Sequence, residues 1–143
     1  HISEVVAAAS ECLVLSLSHL IAGRSWNYVC NMPIKDDWPL EIELIVKGQW
    51  RHKTIENLKS TKDPVDILEA SFWCVGNSNS FEDAVTKAIN LGGNSDTLGA
   101  VVGQLAGAAY GVEAIPVRWY DQLLQIEKLT DVAMQMVELS RTE

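Results

Sequence analysis

A glycine pair followed at once by oxygen-bearing side chains constrains this chain more than any other feature. Residues 88–116 read A-I-N-L-G-G-N-S-D-T-L-G-A-V-V-G-Q-L-A-G-A-A-Y-G-V-E-A-I-P. Gly92 and Gly93 supply the dihedral freedom of a sharp turn, and Asn94, Asp96 and Thr97 then fall where a helix begins. Gly99, Gly103 and Gly107 recur every four residues on one face of that helix. Each costs about 1 kcal/mol relative to Ala, so the stripe predicts close packing against a neighbouring backbone. The helix is expected to run to about Tyr110 and to end at Gly111, with Pro116 opening the next one.

The oxygen cluster can be read in two ways. A carboxylate at a helix start is favoured by free backbone N–H groups and by the helix dipole, which makes Asp96 a simple cap. A carboxylate, an amide carbonyl and a hydroxyl are also hard donors that suit Mg²⁺ or Mn²⁺, with waters and further carboxylates completing the shell. The residues themselves leave both readings open, and no second acidic cluster stands out to supply the remaining ligands. Asp36-Asp37 reads as a surface turn. His19, without a companion at helical spacing, reads as a packed or surface residue rather than a ligand.

Other chemistries find no support. Gly92-Gly93 lacks both the strand that precedes a dinucleotide-binding turn and the Gly-Lys-Ser/Thr of a phosphate loop. None of the three His residues lies in a recognisable nucleophile context. With 11 basic against 19 acidic residues, a net charge of −8 and no basic stripe, phosphate neutralisation on nucleic acid or on an anionic membrane is excluded. The longest apolar run, Leu98 to Tyr110, is shorter than the roughly 20 residues of a spanning helix. Cys12, Cys30 and Cys74 are odd in number and widely spaced, which points to thiols in a reducing compartment and makes the cytoplasm the expected location.

At 143 residues, 48% of them apolar, the chain fits a single unit over 1–143 with a real core. Taken in order, Ile2 to Ala22 carries apolar residues at three-and-four spacing and predicts a long, mostly buried helix ending at Gly23. Arg24 to Pro39 reads as a connector anchored by Trp26, Tyr28 and Trp38, Leu40 to Val46 as a helix, and Lys47 to Ser60 as a polar loop or short helix. Asp63-Pro64 caps a helix with Val65, Leu68, Phe72 and Val75 on its inner side. Ser80 caps another, with Asp83 as a capping-box partner and Ala84, Val85, Ala88 and Ile89 facing inward. Pro116 to Gln125 and Thr130 to Leu139 read as two further helices, the second capped by Thr130. No convincing alternating strand occurs, so the expected class is all-α with six to eight helices.

The order and spacing of four segments resemble the C-terminal half of the ADP-ribosylglycohydrolase family, the group of dinitrogenase-reductase-activating glycohydrolases and ADP-ribosyl-acceptor hydrolases. The segments are D-I-L-E-A-S-F-W, S-F-E-D-A-V-T-K-A-I-N-L-G-G-N-S-D-T, G-A-V-V-G-Q-L-A-G-A-A-Y-G and A-I-P-V-R-W. The resemblance implies a compact multi-helix bundle with a site for two Mg²⁺ or Mn²⁺ ions. It also implies hydrolysis of the bond between ADP-ribose and an acceptor side chain such as arginine or serine. By position, Asp96 becomes the bridging metal ligand and catalytic residue, with Thr97 and Asn94 as further ligands. Asn94 stands where the family commonly has Asp, which removes a negative charge. His1 matches a family position near bound ADP-ribose.

Family members are about twice this length, and their N-terminal half carries a catalytic acid and a Thr-Asp-Asp ligand set with no counterpart here. The chain is therefore expected to be a fragment holding half a site, completed by the missing N-terminal half or by self-association, with ADP-ribose or an ADP-ribosylated protein as ligand. The alternative expectation is a non-catalytic binding or structural relative, comparable to the lens crystallins related to this family.

Overall fold

The structure, a computed structural model, describes residues 2–141, with the side chains of residues 2 and 3 left undescribed. Its eight α-helices are α1 (Ile2–Ile21), α2 (Trp26–Val29), α3 (Leu40–Val46), α4 (Pro64–Gly76), α5 (Phe81–Asn90), α6 (Ser95–Tyr110), α7 (Val117–Tyr120) and α8 (Ile126–Ser140). No strand occurs among the described residues, so the all-α expectation holds. Two 3₁₀ turns, Gln49–His52 and Ile55–Asn57, interrupt the polar stretch between α3 and α4.

Helix α4 lies at the centre. It starts as its sequence predicts: Asp63 Oδ1 accepts the Val65 N–H at 2.9 Å, and Pro64 fills a first-turn position whose N–H has no intrahelical partner. The expected inner stripe of Leu68, Phe72 and Val75 is buried, but so are Ile67, Ala70, Ser71 and Cys74, because α1, α3, α5, α6 and the Trp50 turn all pack on this helix. A helix enclosed on several sides has no polar face to spare. Ser71 fits because its hydroxyl donates to the Ile67 carbonyl at 2.7 Å, and Ser16 on α1 does the same to Cys12 at 2.7 Å.

Helix α1 is less buried than its hydropathy predicts. Ala8, Ala9, Cys12, Ser16 and Leu20 face α4 and α6, whereas Val14 and Ile21 are exposed. The helix is long and apolar enough over Glu4–Ile21 to cross a membrane by length and composition, yet this stripe serves as part of the protein core. Glu11 ties α1 to the connector: its carboxylate pairs with Lys35 and accepts the Trp38 indole N–H at 2.7 Å. These two donors hold the Glu11 carboxyl below its ordinary value. Trp38 is thus the anchor it was expected to be, while Tyr28, 37% exposed, sits at the edge and meets His19 edge-on at 4.9 Å.

The stretch from Lys47 to Ser60 is more than a polar loop. Trp50 is buried beneath α4, Lys53 pairs with Glu69 at 2.6 Å, and the Lys53 carbonyl accepts the Trp73 indole N–H at 2.9 Å. Gly76, in the last turn of α4, is what lets Trp50 in: a Cβ there would lie 2.2 Å from Trp50 Cη2. Beyond α4, Ser80 Oγ accepts the Asp83 N–H at 3.1 Å as a cap. The Asp83 carboxylate turns to Lys87, whose ammonium also donates to the Asn77 carbonyl at 2.8 Å, closing the α4–α5 corner. Ala84 and Ala88 are buried, Val85 is partly so, and Ile89, expected inside, is exposed.

The glycine stripe of α6 faces α5, but not as tightly as expected. A Cβ at Gly99 or Gly107 would meet Ile89 or Phe81 at an ordinary 3.8 and 3.9 Å, and at Gly103 it would meet nothing within 4 Å. The C-terminal elements also differ from expectation. Helix α7 stops at Tyr120 rather than Gln125, held by Arg118–Glu82 pairing and by Trp119 against Phe81. Helix α8 starts at Ile126, so Thr130 is inside it, with its hydroxyl donating to the Ile126 carbonyl at 2.9 Å. Its apolar residues Leu129, Val132, Met136 and Val137 are exposed.

The three thiols are buried and free. Burial pushes Cys12 and Cys74 up to about 12 and raises Cys30 as well, so none is an activated nucleophile.

Two stability predictions follow from this packing. Gly76→Ala should lower stability by about 1–3 kcal/mol through overpacking on Trp50, whereas Gly103→Ala should be neutral or raise it by up to ~1 kcal/mol; chemical denaturation of both variants checks the contrast. For Glu11 the folded pKa lies below the ordinary 4.5, so its contribution is present above that value and lost as pH falls through the depressed one. Acid unfolding of Glu11→Gln should accordingly show a shallower loss of stability below about pH 4.5 than the parent chain.

Candidate metal centre

The site is built by a backbone contact between segments far apart in sequence. Helix α5 ends at Asn90, and Gly92 and Gly93 then take φ values of +73° and +61°. At Gly93 a Cβ would stand 2.2 Å from the Ser60 carbonyl oxygen, so only glycine allows the approach. That approach brings the Asn94 N–H to the same carbonyl at 2.8 Å. The segment just before α4 is thereby fixed against the start of α6.

Asn94 occupies the N-cap position of α6 but makes no side-chain cap. Its amide points two other ways: Nδ2 donates to the Thr61 carbonyl at 3.2 Å, and Oδ1 accepts from Thr97 Oγ1 at 3.2 Å. Asp96 lies in the first turn, where its Oδ1 accepts the Thr97 N–H at 2.8 Å. The cap reading of Asp96 thus accounts for one carboxylate oxygen. Asp96 is exposed, and among the described residues it enters no ion pair.

These positions permit a test of the oxygen cluster as a cation site. The donors are all hard oxygens, and among the described residues no lysine or arginine pairs with Asp96; the helix dipole at this end favours the carboxylate and opposes a cation. Asn94 Oδ1 and Thr97 Oγ1 stand 3.2 Å apart and are joined by a hydrogen bond, which a cation taking both oxygens would replace. In donor type alone, these oxygens suit part of a hard-cation shell. Among the described residues no group of three or more His, Cys, Asp or Glu side chains gathers to form a full cage. His1, the expected ADP-ribose contact, lies outside the described residues.

Two participants were not foreseen from sequence. The carbonyls of Ser60 and Thr61 reach the site through main-chain atoms, so no residue-type signal marks them. Thr61 is itself held: its hydroxyl donates to Asp66 Oδ2 at 2.7 Å and accepts the Asp63 N–H at 2.9 Å. Beside Thr97 opens a cavity of about 210 Å³, walled by Leu13 of α1, Leu68 of α4 and Val101 of α6, with Lys62 at its edge.

A sequence model described as ADP-ribosylglycohydrolase matches residues 6–143. The chain is 34% identical over 146 aligned positions to the ADP-ribosylarginine hydrolase Tri1 of Serratia proteamaculans, covering 100% of this chain and 39% of that protein. It is 40% identical over 65 residues to the ADP-ribosyl-[dinitrogen reductase] glycohydrolase of Rhodospirillum rubrum, covering 45% of this chain and 22% of that one. Among solved structures, an ADP-ribosylglycohydrolase-related protein complex superposes with a TM-score of 0.78 at 31% identity, over 87% of this chain and 44% of that chain. The chain therefore spans less than half the length of these relatives, and over that span, in sequence and in fold, it belongs to the ADP-ribosylglycohydrolase family.

Proposed function

We propose that this chain supplies one wall of a metal-dependent hydrolase site that releases ADP-ribose from a modified acceptor side chain. The observation that carries the reading is the exposed cluster of Asn94, Asp96 and Thr97 oxygens at the start of α6, in a chain of this family. Arginine is the acceptor named for the Serratia and Pseudomonas putida relatives, and it is the acceptor proposed here.

In this reading Asp96 would contribute the negative charge that holds Mg²⁺ or Mn²⁺, its Oδ1 being steadied by the Thr97 N–H. The Asn94 carbonyl and the Thr97 hydroxyl add neutral donors. A divalent cation bound there supplies Lewis acidity to a substrate oxygen or to a water. Two ions and a catalytic acid require side chains beyond this set, so the complete reaction is assigned to the chain together with the rest of the family domain. The exposed apolar residues of α8, with Val14 and Ile21 of α1, support an association that covers them. The buried free thiols support a reducing, cytoplasmic location.

The Asn94 amide favours a second reading. Its N–H bond to the Thr61 carbonyl is a purely structural use that a carboxylate cannot make, as expected of a non-catalytic relative that keeps the fold. Calorimetry with Mn²⁺ separates the two. The hydrolase reading expects binding by the parent chain that weakens at least tenfold in Asp96→Asn, and release of ADP-ribose from ADP-ribosylarginine once a family N-terminal half is added with Mg²⁺. A stable protein indifferent to Mn²⁺, or equal binding by both chains, would establish the structural reading instead.

A further inference from the structure

We infer that Thr61 and Asp66 are positioning residues for the candidate centre: together they aim the Asn94 amide, so that its nitrogen meets the segment before α4 and its oxygen stays on the Thr97 side. The inference rests on the hydrolase reading for what that oxygen serves, a divalent cation, and on the hydrogen bonds for the aim itself.

Asn94 meets the segment before α4 with two donors, and two consecutive carbonyls receive them. Its backbone N–H bonds the Ser60 carbonyl at 2.8 Å, and its Nδ2 bonds the Thr61 carbonyl at 3.2 Å. A carbonyl only accepts, so the end of the amide that meets Thr61 has to be the nitrogen. The oxygen is thereby turned to the other side, where it accepts from Thr97 Oγ1 at 3.2 Å. A cation taking Asn94 Oδ1 and Thr97 Oγ1 together would replace that last bond and leave the Nδ2 bond in place. The amide then keeps its orientation while its oxygen changes partner, and less side-chain freedom is lost on binding.

The Thr61 carbonyl is aimed in its turn. The Thr61 hydroxyl gives its one proton to Asp66 Oδ2 at 2.7 Å and accepts the Asp63 N–H at 2.9 Å. Both partners belong to the start of α4, which Asp63 caps through Val65 N–H. Thr61 is exposed and Asp66 half-buried, so neither side chain belongs to the apolar core. Docking of the two segments has a separate support, since the Ser60–Asn94 main-chain bond and the close approach of Gly93 ask nothing of the side chains at 61 and 66. Loss of the Thr61 hydroxyl therefore frees the 61 peptide to turn while the segments stay together. Aim and attachment are carried by different groups.

Two readouts on the 143-residue chain test this role. In the metal-free chain, the two Asn94 side-chain amide protons form a pair in a proton–nitrogen correlation spectrum, identified by its disappearance in Asn94→Ala; calorimetric titration with Mn²⁺ gives the affinity. Thr61→Val should move that pair toward the position of an unbonded asparagine and weaken Mn²⁺ binding about tenfold, the low end for groups that orient a metal ligand. Thr61→Ser, which keeps the hydroxyl, should leave both readouts at parent values. Asp66→Ala should repeat the effect of Thr61→Val, and Asp66→Asn, which keeps an acceptor for the hydroxyl, should recover the amide pair. An unmoved pair in Thr61→Val overturns the inference, whatever the Mn²⁺ affinity. A moved pair with unchanged Mn²⁺ affinity also overturns it and leaves the hydrolase reading standing. A parent chain that binds no Mn²⁺ overturns the positioning role together with the hydrolase reading, even where the pair moves.

Discussion

Enclosure of α4 is the constraint on which the rest of the structure depends. A helix packed by four others and by a tryptophan-bearing turn must be apolar or small around nearly its whole circumference. Its sequence meets that demand with Ala70, Ser71, Cys74 and Gly76 set among larger residues. The small residues are where neighbours come closest. Trp50 lies against Gly76, and burial of its ring joins the 47–60 segment to the helix more firmly than the polar composition of that segment implies. Because α4 begins at Pro64, anything that fixes α4 also fixes the residues immediately before it, and these are the residues that meet the start of α6.

The candidate centre is thus a junction of two helix starts, α4 and α6, held together by the glycine turn. One start is closed by Asp63, which caps its own helix. The other remains open, since Asn94 directs its side chain to the Thr61 carbonyl and the Thr97 hydroxyl instead of to the free N–H groups of α6. This difference leaves Asp96 as the charged group at that end, with one oxygen tied to the Thr97 N–H and the carboxylate facing solvent. A helix start whose cap residue bonds elsewhere leaves first-turn N–H groups without a side-chain cap, even though Asp96 Oδ1 and Asn94 Oδ1 are each used within the turn.

Much of this was legible in the sequence, and the exceptions have physical causes. The Asp63-Pro64 and Ser80 caps, the end of α6 at Gly111 and the cluster at 94–97 are local features, set by side chains acting within a turn of themselves. Interhelical relations were harder to read. The stripe at Gly99, Gly103 and Gly107 implied a tight seam, but spacing does not report the distance to the next helix, and there is room for a Cβ at all three. Gly76, which carries no periodic signal, is where the tight seam occurs. The apolar periodicity of α1 and α8 was clear, yet half of α1 and nearly all of α8 face outward. A pattern shows that a face is fit for burial; it does not show that the partner is in the same chain. Thr130 was misread as a cap because a hydroxyl that bonds back to its own helix looks the same in sequence as one that starts it.

The strictest contact in the site leaves almost no trace in residue identity. Ser60 and Thr61 meet the start of α6 through their carbonyl oxygens, which every amino acid possesses. The carbonyl contact itself asks only for the backbone path, whereas the Thr61 hydroxyl is separately used to bond Asp66 Oδ2 and the Asp63 N–H. The selective constraint falls on chain length between the Trp50 turn and Pro64, and on the glycine across the contact. In an alignment of such proteins, the carbonyl contact would show itself as a scarcity of insertions and deletions around it and not as a preferred residue.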